Sequence, residues 1–134
     1  MNKTQVHQQE LSLQLQALQE QMMQVQQQME ILEESKSEID KAKDALVSLK
    51  SIPKGTKMYA PVAGGIFVEA KAEETGSFLI TVGNNIVVRK SGEEIQDLLV
   101  KQIHEVAQLQ QELYQSLQKL AMKGAVLEQG LNRG

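Results

Sequence analysis

Few residues in this chain have the types that catalysis or ligand binding needs, and their spacing keeps them apart. His7 and His104 lie in opposite halves of the sequence, neither near a second ligand pair, so they do not read as a metal centre. Glu33-Glu34 and Glu93-Glu94 read as solvated helix faces or partners of a helix dipole. No pocket in the pattern would bring two carboxylates together for acid–base work. Gly64-Gly65 and Gly83-Asn84-Asn85 lack the Lys-Ser/Thr of a phosphate loop and precede strands rather than a helix, so they read as turns. Lys54–Lys57 and Arg89-Lys90 are small basic clusters, suited to contacts between subunits and too few for a nucleic-acid surface. What remains is apolar contact. Val6, Leu13, Met23, Met122 and Val126 sit near the two chain ends, at positions that point away from any helix seam. Exposed apolar groups gathered in one region suggest a contact surface, and the flexible thioether of Met adapts to varied partners.

The elements that position these residues are two heptad-patterned helices. Leu11, Leu18, Val25, Leu32, Ile39 and Leu46 hold position d of the first, with Gln8, Leu15, Met22, Met29, Lys36 and Lys43 at a. In the second, Leu99, Val106, Leu113, Leu120 and Leu127 are d, and Gln96, Ile103, Gln110, Leu117, Gly124 and Leu131 are a. Sustained alternation of steps of three and four keeps one apolar seam facing a partner helix. Val6, Leu13 and Met122 then fall at f, Met23 at b and Val126 at c. Ile31, also at c, is similar but nearer the middle of the chain. Pro53 and Gly55 stop the first helix near Lys50. Ser91 and Glu94 have capping-box spacing at the start of the second.

Folded back on each other, the helices run antiparallel with a facing d. One register pairs Leu11 with Leu131, Leu15 with Leu127, Leu18 with Gly124, Met22 with Leu120, Val25 with Leu117 and Ile39 with Ile103. Lys36 would meet Val106 and Lys43 would meet Leu99, stems along the seam and ammonium groups in water. More than forty residues of helix make a rod roughly 60–70 Å long, along which no pocket is expected. Gly124 against Leu18 would loosen the pair, because Gly costs ~1 kcal/mol against Ala in a helix. A splayed end would expose Leu11, Leu15, Leu18, Leu120 and Leu127 as well.

Between the helices, Met58–Ala63, Ile66–Ala72, Phe78–Val82 and Ile86–Lys90 read as strands, with turns at Gly64-Gly65, Glu73–Gly76 and Gly83-Asn84-Asn85. That gives two β-hairpins in tandem, with Pro61 at an edge or bulge. The segment Phe78–Val82 is apolar on both faces, as is Ile86-Val87-Val88. A small sheet apolar on two sides has to be covered, and the helices are expected to be occupied with each other. The economical cover is other subunits. Tyr59, Pro61, Val62, Ile66, Phe67, Val68, Phe78, Ile80, Val82, Ile86 and Val88 are therefore read as an oligomer interface.

Composition agrees with this reading. The 134 residues suit one domain: a first helix over 1–50, hairpins over 51–91 and a second helix over 92–134. Aromatics are 3%, too few for an ordinary globular core and enough for a coiled coil. A net charge of −3 argues against nucleic acid or an anionic membrane as the main partner. Cysteine is absent, so disulfides and thiolate metal sites are excluded. No signal-peptide h-region and no apolar run of ~20 residues is present, which makes a soluble cytoplasmic protein the default. Eleven Gln crowd the first thirty residues; they make a polar helix flank without adding charge.

Helix, two hairpins, helix resembles the α-class subunit of prefoldin, the archaeal-type family. The most specific part is the insert. Tyr59-Ala60-Pro61-Val62-Ala63-Gly64-Gly65-Ile66-Phe67-Val68 is similar to the family's apolar-x-Pro-apolar, Gly-rich, apolar strand pair. Residues 78–90, from Phe78 through Val82-Gly83 to Lys90, are similar to its second hairpin. Four strands point to the α class, because the β class has one hairpin. Asn84-Asn85 replace the usual small-Gly after Gly83, and Ala63 stands where Gly is common. Asn tolerates positive φ, so the turn survives.

The resemblance implies a mainly α fold with a small β insert, an antiparallel two-helix coiled coil whose central hairpins assemble into an intersubunit β-barrel. It implies a hexamer of two α-class and four β-class subunits. It further implies an ATP-independent chaperone that holds non-native client proteins at the coiled-coil tips and passes them to a group II chaperonin, without cofactor or metal. Client-contacting residues would be Val6, Leu11, Leu13, Leu15, Leu18, Met22, Met23, Leu120, Met122, Val126 and Leu127. The competing expectation is a coiled-coil rod or filament-forming homo-oligomer with no client duty. Nothing in the sequence assembles a catalytic constellation.

Overall fold

The computed structural model describes residues 2–73 and 76–133. Helix α1 runs Lys3–Lys50, strands β1 Lys57–Ala63, β2 Ile66–Lys71, β3 Ser77–Thr81 and β4 Val87–Ser91 follow, and α2 runs Gly92–Arg133. The chain divides into two compact units, Met1–Lys36 with His104–Gly134, and Ser37–Ile103.

In the first unit the helices pack antiparallel. Leu11 reaches Gly130, Leu18 reaches Gly124, and Gln110 Nε2 donates to Glu33 Oε2 at 3.0 Å, so rising numbers on α1 meet falling numbers on α2. Leu11, Leu15, Met22, Val25, Met29 and Leu32 are half-buried and Leu18 is buried; Leu113, Leu117, Leu120, Leu127 and Leu131 are half-buried opposite them. These are the a and d positions. Gly124 does not loosen the pair as expected. It is buried, and a Cβ placed there would lie 3.3 Å from Leu18 Cδ2, so the missing side chain lets the helices approach closely. Leu18 is accordingly only 7% exposed.

In the second unit Leu46, Ile95 and Leu99 form the buried core, with Ile39, Phe78 and Ile80 packed against it. Lys43 is half-buried along this seam, and Lys50 Nζ donates to Gln96 Oε1 at 3.2 Å at its end. Each hairpin is a separate two-stranded antiparallel sheet. Tyr59 pairs with Glu69 and Pro61 with Phe67, and the register then shifts between Pro61 and Ala63. The bulge falls where proline removes a ladder donor. Gly64 and Gly65 have φ of 53° and 81°, two successive left-handed residues that close a tight hairpin. Gly83, Asn84 and Asn85 are all left-handed, at 65°, 48° and 59°, and Val82 N–H donates to Ile86 O across them at 2.8 Å. Val82 and Ile86 thus close the turn, and β3 and β4 begin and end one residue away from the expected bounds. The turn expected at Glu73–Gly76 includes Glu74 and Thr75, which lie outside the described residues.

Both helices open on reciprocal caps. Ser91 Oγ accepts from Glu94 N–H at 3.1 Å while Glu94 Oε1 accepts from Ser91 N–H at 3.2 Å. Asn2 and Gln5 repeat the arrangement at α1, where Gln5 N–H donates to Asn2 Oδ1 at 2.8 Å. The Ser91 amide, then the Ser91 hydroxyl, hold the Glu94 carboxyl below its ordinary 4.5, with Lys90 adding to the effect. The folded-state value is depressed, so the contribution is present above the ordinary value and fades as pH falls below 4.5 through the lowered one. Ser91→Ala is expected to cost about 1 kcal/mol of thermal stability at neutral pH and to flatten the stability–pH curve below that point. Calorimetry at two pH values measures both.

Candidate functional site

Among the described residues, each unit leaves apolar surface uncovered. In the helical unit an open groove of ≈ 520 Å³ is lined by Gln14, Ala17, Leu18 and Gln21 from α1 and Met122, Lys123, Val126 and Leu127 from α2. The heptad geometry produces it: small Ala17 at c, beside Gln14 and Gln21 at g, leaves room over the seam leucines on one side. Of the residues expected to contact a client, the groove gathers Leu18, Met122, Val126 and Leu127. Met122 is 71% exposed. Val6, Leu13 and Met23 are exposed too, but outside the groove. Leu11, Leu15, Met22 and Leu120 face the partner helix and are half-buried, so the splayed arrangement that would bare them is absent from the structure.

The expectation that no pocket forms along the helix pair therefore needs correction: shallow grooves form between the c and g side chains of the two helices. A second, of ≈ 380 Å³, is lined by Ile31, Leu32, Leu109 and Leu113 with Gln28, Glu112 and Ser116. Leu109 escaped the sequence reading because it sits at g, one step off the seam series. Ile31 resembles the end residues in type and heptad position but lies nearer the middle of the chain. Counting exposed apolar residues at c and g together would have found the pair.

The second surface belongs to the hairpins. Tyr59, Pro61, Val62, Ile66, Phe67, Val68, Val82 and Ile86 are exposed, Tyr59 at 70%. Both sheets have only two strands, so each strand leaves a row of backbone groups unpaired within its sheet. Phe78 and Ile80 behave differently from the expected interface. They turn onto Leu46, Ile95 and Leu99, and Val88, which pairs with Ile80, is half-buried with them. The helices are not wholly occupied with each other: Leu46 of α1 and Ile95 and Leu99 of α2 also take one face of β3–β4. The opposite face carries Leu79 and Val87, both exposed and neither among the residues expected at the interface.

His7 and His104 are exposed on separate helices. Among the described residues no cluster of three or more His, Asp or Glu could hold a metal ion, and no helix is long and apolar enough to cross a membrane.

Comparison with known proteins places this geometry. The solved filamentous PFD from Methanocaldococcus jannaschii superposes with a TM-score of 0.77 over 84% of this chain and 93% of that chain, at 23% identity, which establishes a shared fold. Prefoldin subunit alpha of Thermofilum pendens is 30% identical over 95 residues, 71% of this chain and 74% of the relative. Human prefoldin subunit 5 is 30% identical over 89 residues, 66% of this chain and 58% of the relative. The prefoldin subunit model matches residues 18–133, from the buried Leu18 through both hairpins to the last residue of α2. Most of α1, both hairpins and α2 thus fall within the matched residues, and the chain belongs to the prefoldin family of chaperone subunits.

Proposed function

We propose that this chain is a subunit of an ATP-independent holding chaperone, which captures unfolded proteins where its two termini meet and delivers them to a group II chaperonin. The observation that carries the reading is the cluster of exposed apolar side chains in the helical unit, with Met122 and Val126 at the rim of a groove floored by Leu18 and Leu127. Such a patch holds a client weakly, and several patches acting on one client raise avidity without any tight single contact. Flexible Met lets the same patch fit many sequences.

The hairpins are the proposed assembly surface. A lone two-stranded hairpin is at best marginal in water, and β1–β2 leaves Tyr59, Phe67 and Ile66 exposed. β-class prefoldin subunits are the proposed partners, in a hexamer of two α-class and four β-class chains acting in the cytoplasm. A second reading, self-assembly into a filament, draws on the filamentous neighbour. Native mass spectrometry after co-expression with a β-class subunit separates them: the first reading expects a mixed hexamer, the second a ladder of identical chains. The assembled protein, without nucleotide, is expected to suppress aggregation of a chemically unfolded client at near-stoichiometric ratio. Aggregation at the rate of the client alone would overturn the chaperone reading.

A further inference from the structure

The two grooves of the helical unit are not separate. A third, of ≈ 380 Å³, lies between them; it shares Gln21 and Lys123 with the one and Gln28 and Ser116 with the other. All three open on the c and g positions of both helices, so they form one trough along a single side of the pair. Its ends are apolar: Leu18, Met122 and Val126 at one, Ile31 and Leu109 at the other, the last two 61% and 48% exposed. Its middle keeps Val25 and Leu120 on the floor but is polar at the rim. On α1 the rim is Gln21, Gln24 and Gln28, and on α2 it is Ser116, Lys119 and Lys123. Neither lysine makes an ion pair among the described residues, and no carboxylate lines this middle stretch.

We propose that the trough binds one extended segment of non-native polypeptide whose two apolar clusters flank acidic residues. This rests on the client-holding reading and deepens it. Ala17 to Ile31 is fourteen residues of helix and Leu109 to Val126 is seventeen, so the apolar ends stand about 20–25 Å apart. At about 3.4 Å per residue, an extended segment bridges that distance with six or seven residues. A helix laid in the trough would need a continuous apolar stripe, which would strip water from three Gln amides and two ammonium groups without replacing their hydrogen bonds. An extended segment instead presents its own N–H and C=O groups. A Gln carboxamide both donates and accepts, so the row on α1 can pair with backbone of any sequence. The lysines then supply preference: carboxylates over the middle find unpaired cations, and basic residues meet like charge. The same row gives the crowded Gln of the first helix a use beyond solubility.

The test uses the assembled protein and three fluorescent peptides. The first carries two Leu/Phe clusters separated by seven residues that include two Asp. The second has Lys in place of Asp. The third keeps the Asp but brings the clusters within two residues. The first peptide is expected to bind about fivefold more tightly than the second at low salt, with the preference fading at high salt. The double variant Lys119→Glu with Lys123→Glu is expected to reverse the order. Ile31→Ser with Leu109→Ser is expected to weaken the first peptide about tenfold and leave the third unchanged. All four positions are exposed, so circular dichroism and assembly mass should match wild type. Equal binding of the acidic and basic peptides, or an unchanged affinity of the long peptide for the Ile31/Leu109 variant, overturns the trough. If the wild-type assembly still suppresses aggregation in that case, the trough alone has failed; if it does not, the chaperone reading has failed as well.

Discussion

Replacing Leu13, Met23, Met122 and Val126 together with glutamine is expected to weaken suppression of client aggregation severely while leaving the helices and the assembly intact. All four are exposed, so no packing is lost within the chain. Glutamine matches Leu and Met in helix propensity and exceeds Val, which removes the backbone as a cause. Each apolar side chain covered by a client contributes about 1 kcal/mol, so four together weaken one chain's hold by roughly a thousandfold. Avidity then amplifies the loss, because both copies of this chain in the proposed hexamer carry the change. Light scattering of a denatured client gives the first reading, and native mass with circular dichroism the control. Suppression at the wild-type level by a correctly assembled variant would remove these four residues from the site. Partial loss confined to Met122 and Val126 would place the site in the groove and leave Leu13 and Met23 as ordinary surface.

Period and punctuation made the helices legible. The d positions from Leu11 to Leu46 and from Leu99 to Leu127 are the ones that turn inward, and the antiparallel register that pairs Leu18 with Gly124 is found in the structure. Pro53, the Ser91–Glu94 cap and the Gly and Asn turns set where elements stop, because each fixes a backbone conformation locally. The cap at Asn2 and Gln5 was equally readable but lies outside the apolar pattern on which attention falls. What the pattern could not resolve is which face of a strand turns inward when both are apolar. Phe78, Leu79 and Ile80 are equivalent by type, and only the wedge left by Leu46, Ile95 and Leu99 decides that Phe78 and Ile80 go in and Leu79 goes out. The grooves were hidden for a related reason. They lie between c and g side chains of two helices, and a search along one helix for apolar residues does not register a space shared by both.

That division of faces predicts that two phenylalanines only eleven residues apart fail in different ways. Phe78→Ala removes a ring that packs on the core, and is expected to cost about 2 kcal/mol, less than a fully buried ring because the site is half-open. Phe67→Asp touches no core residue of its own chain, being exposed opposite Pro61. If the hairpins assemble as proposed, it places a carboxylate in an apolar contact between subunits, at a cost of several kcal/mol. Phe78→Ala should therefore lower the denaturation midpoint at every protein concentration while the assembly still forms at low temperature. Phe67→Asp should yield separate chains at micromolar concentration with helix content retained, because the coiled coil and its core are untouched. Unfolding of the wild type should depend on concentration, as it does whenever the folded state is tied to association. An unchanged assembly mass for Phe67→Asp would show that the open face of β1–β2 is not where subunits meet. The remaining candidate would then be the exposed face of β3–β4, where Leu79 and Val87 stand beside Arg89, whose guanidinium is already held by Ser77 Oγ at 3.0 Å.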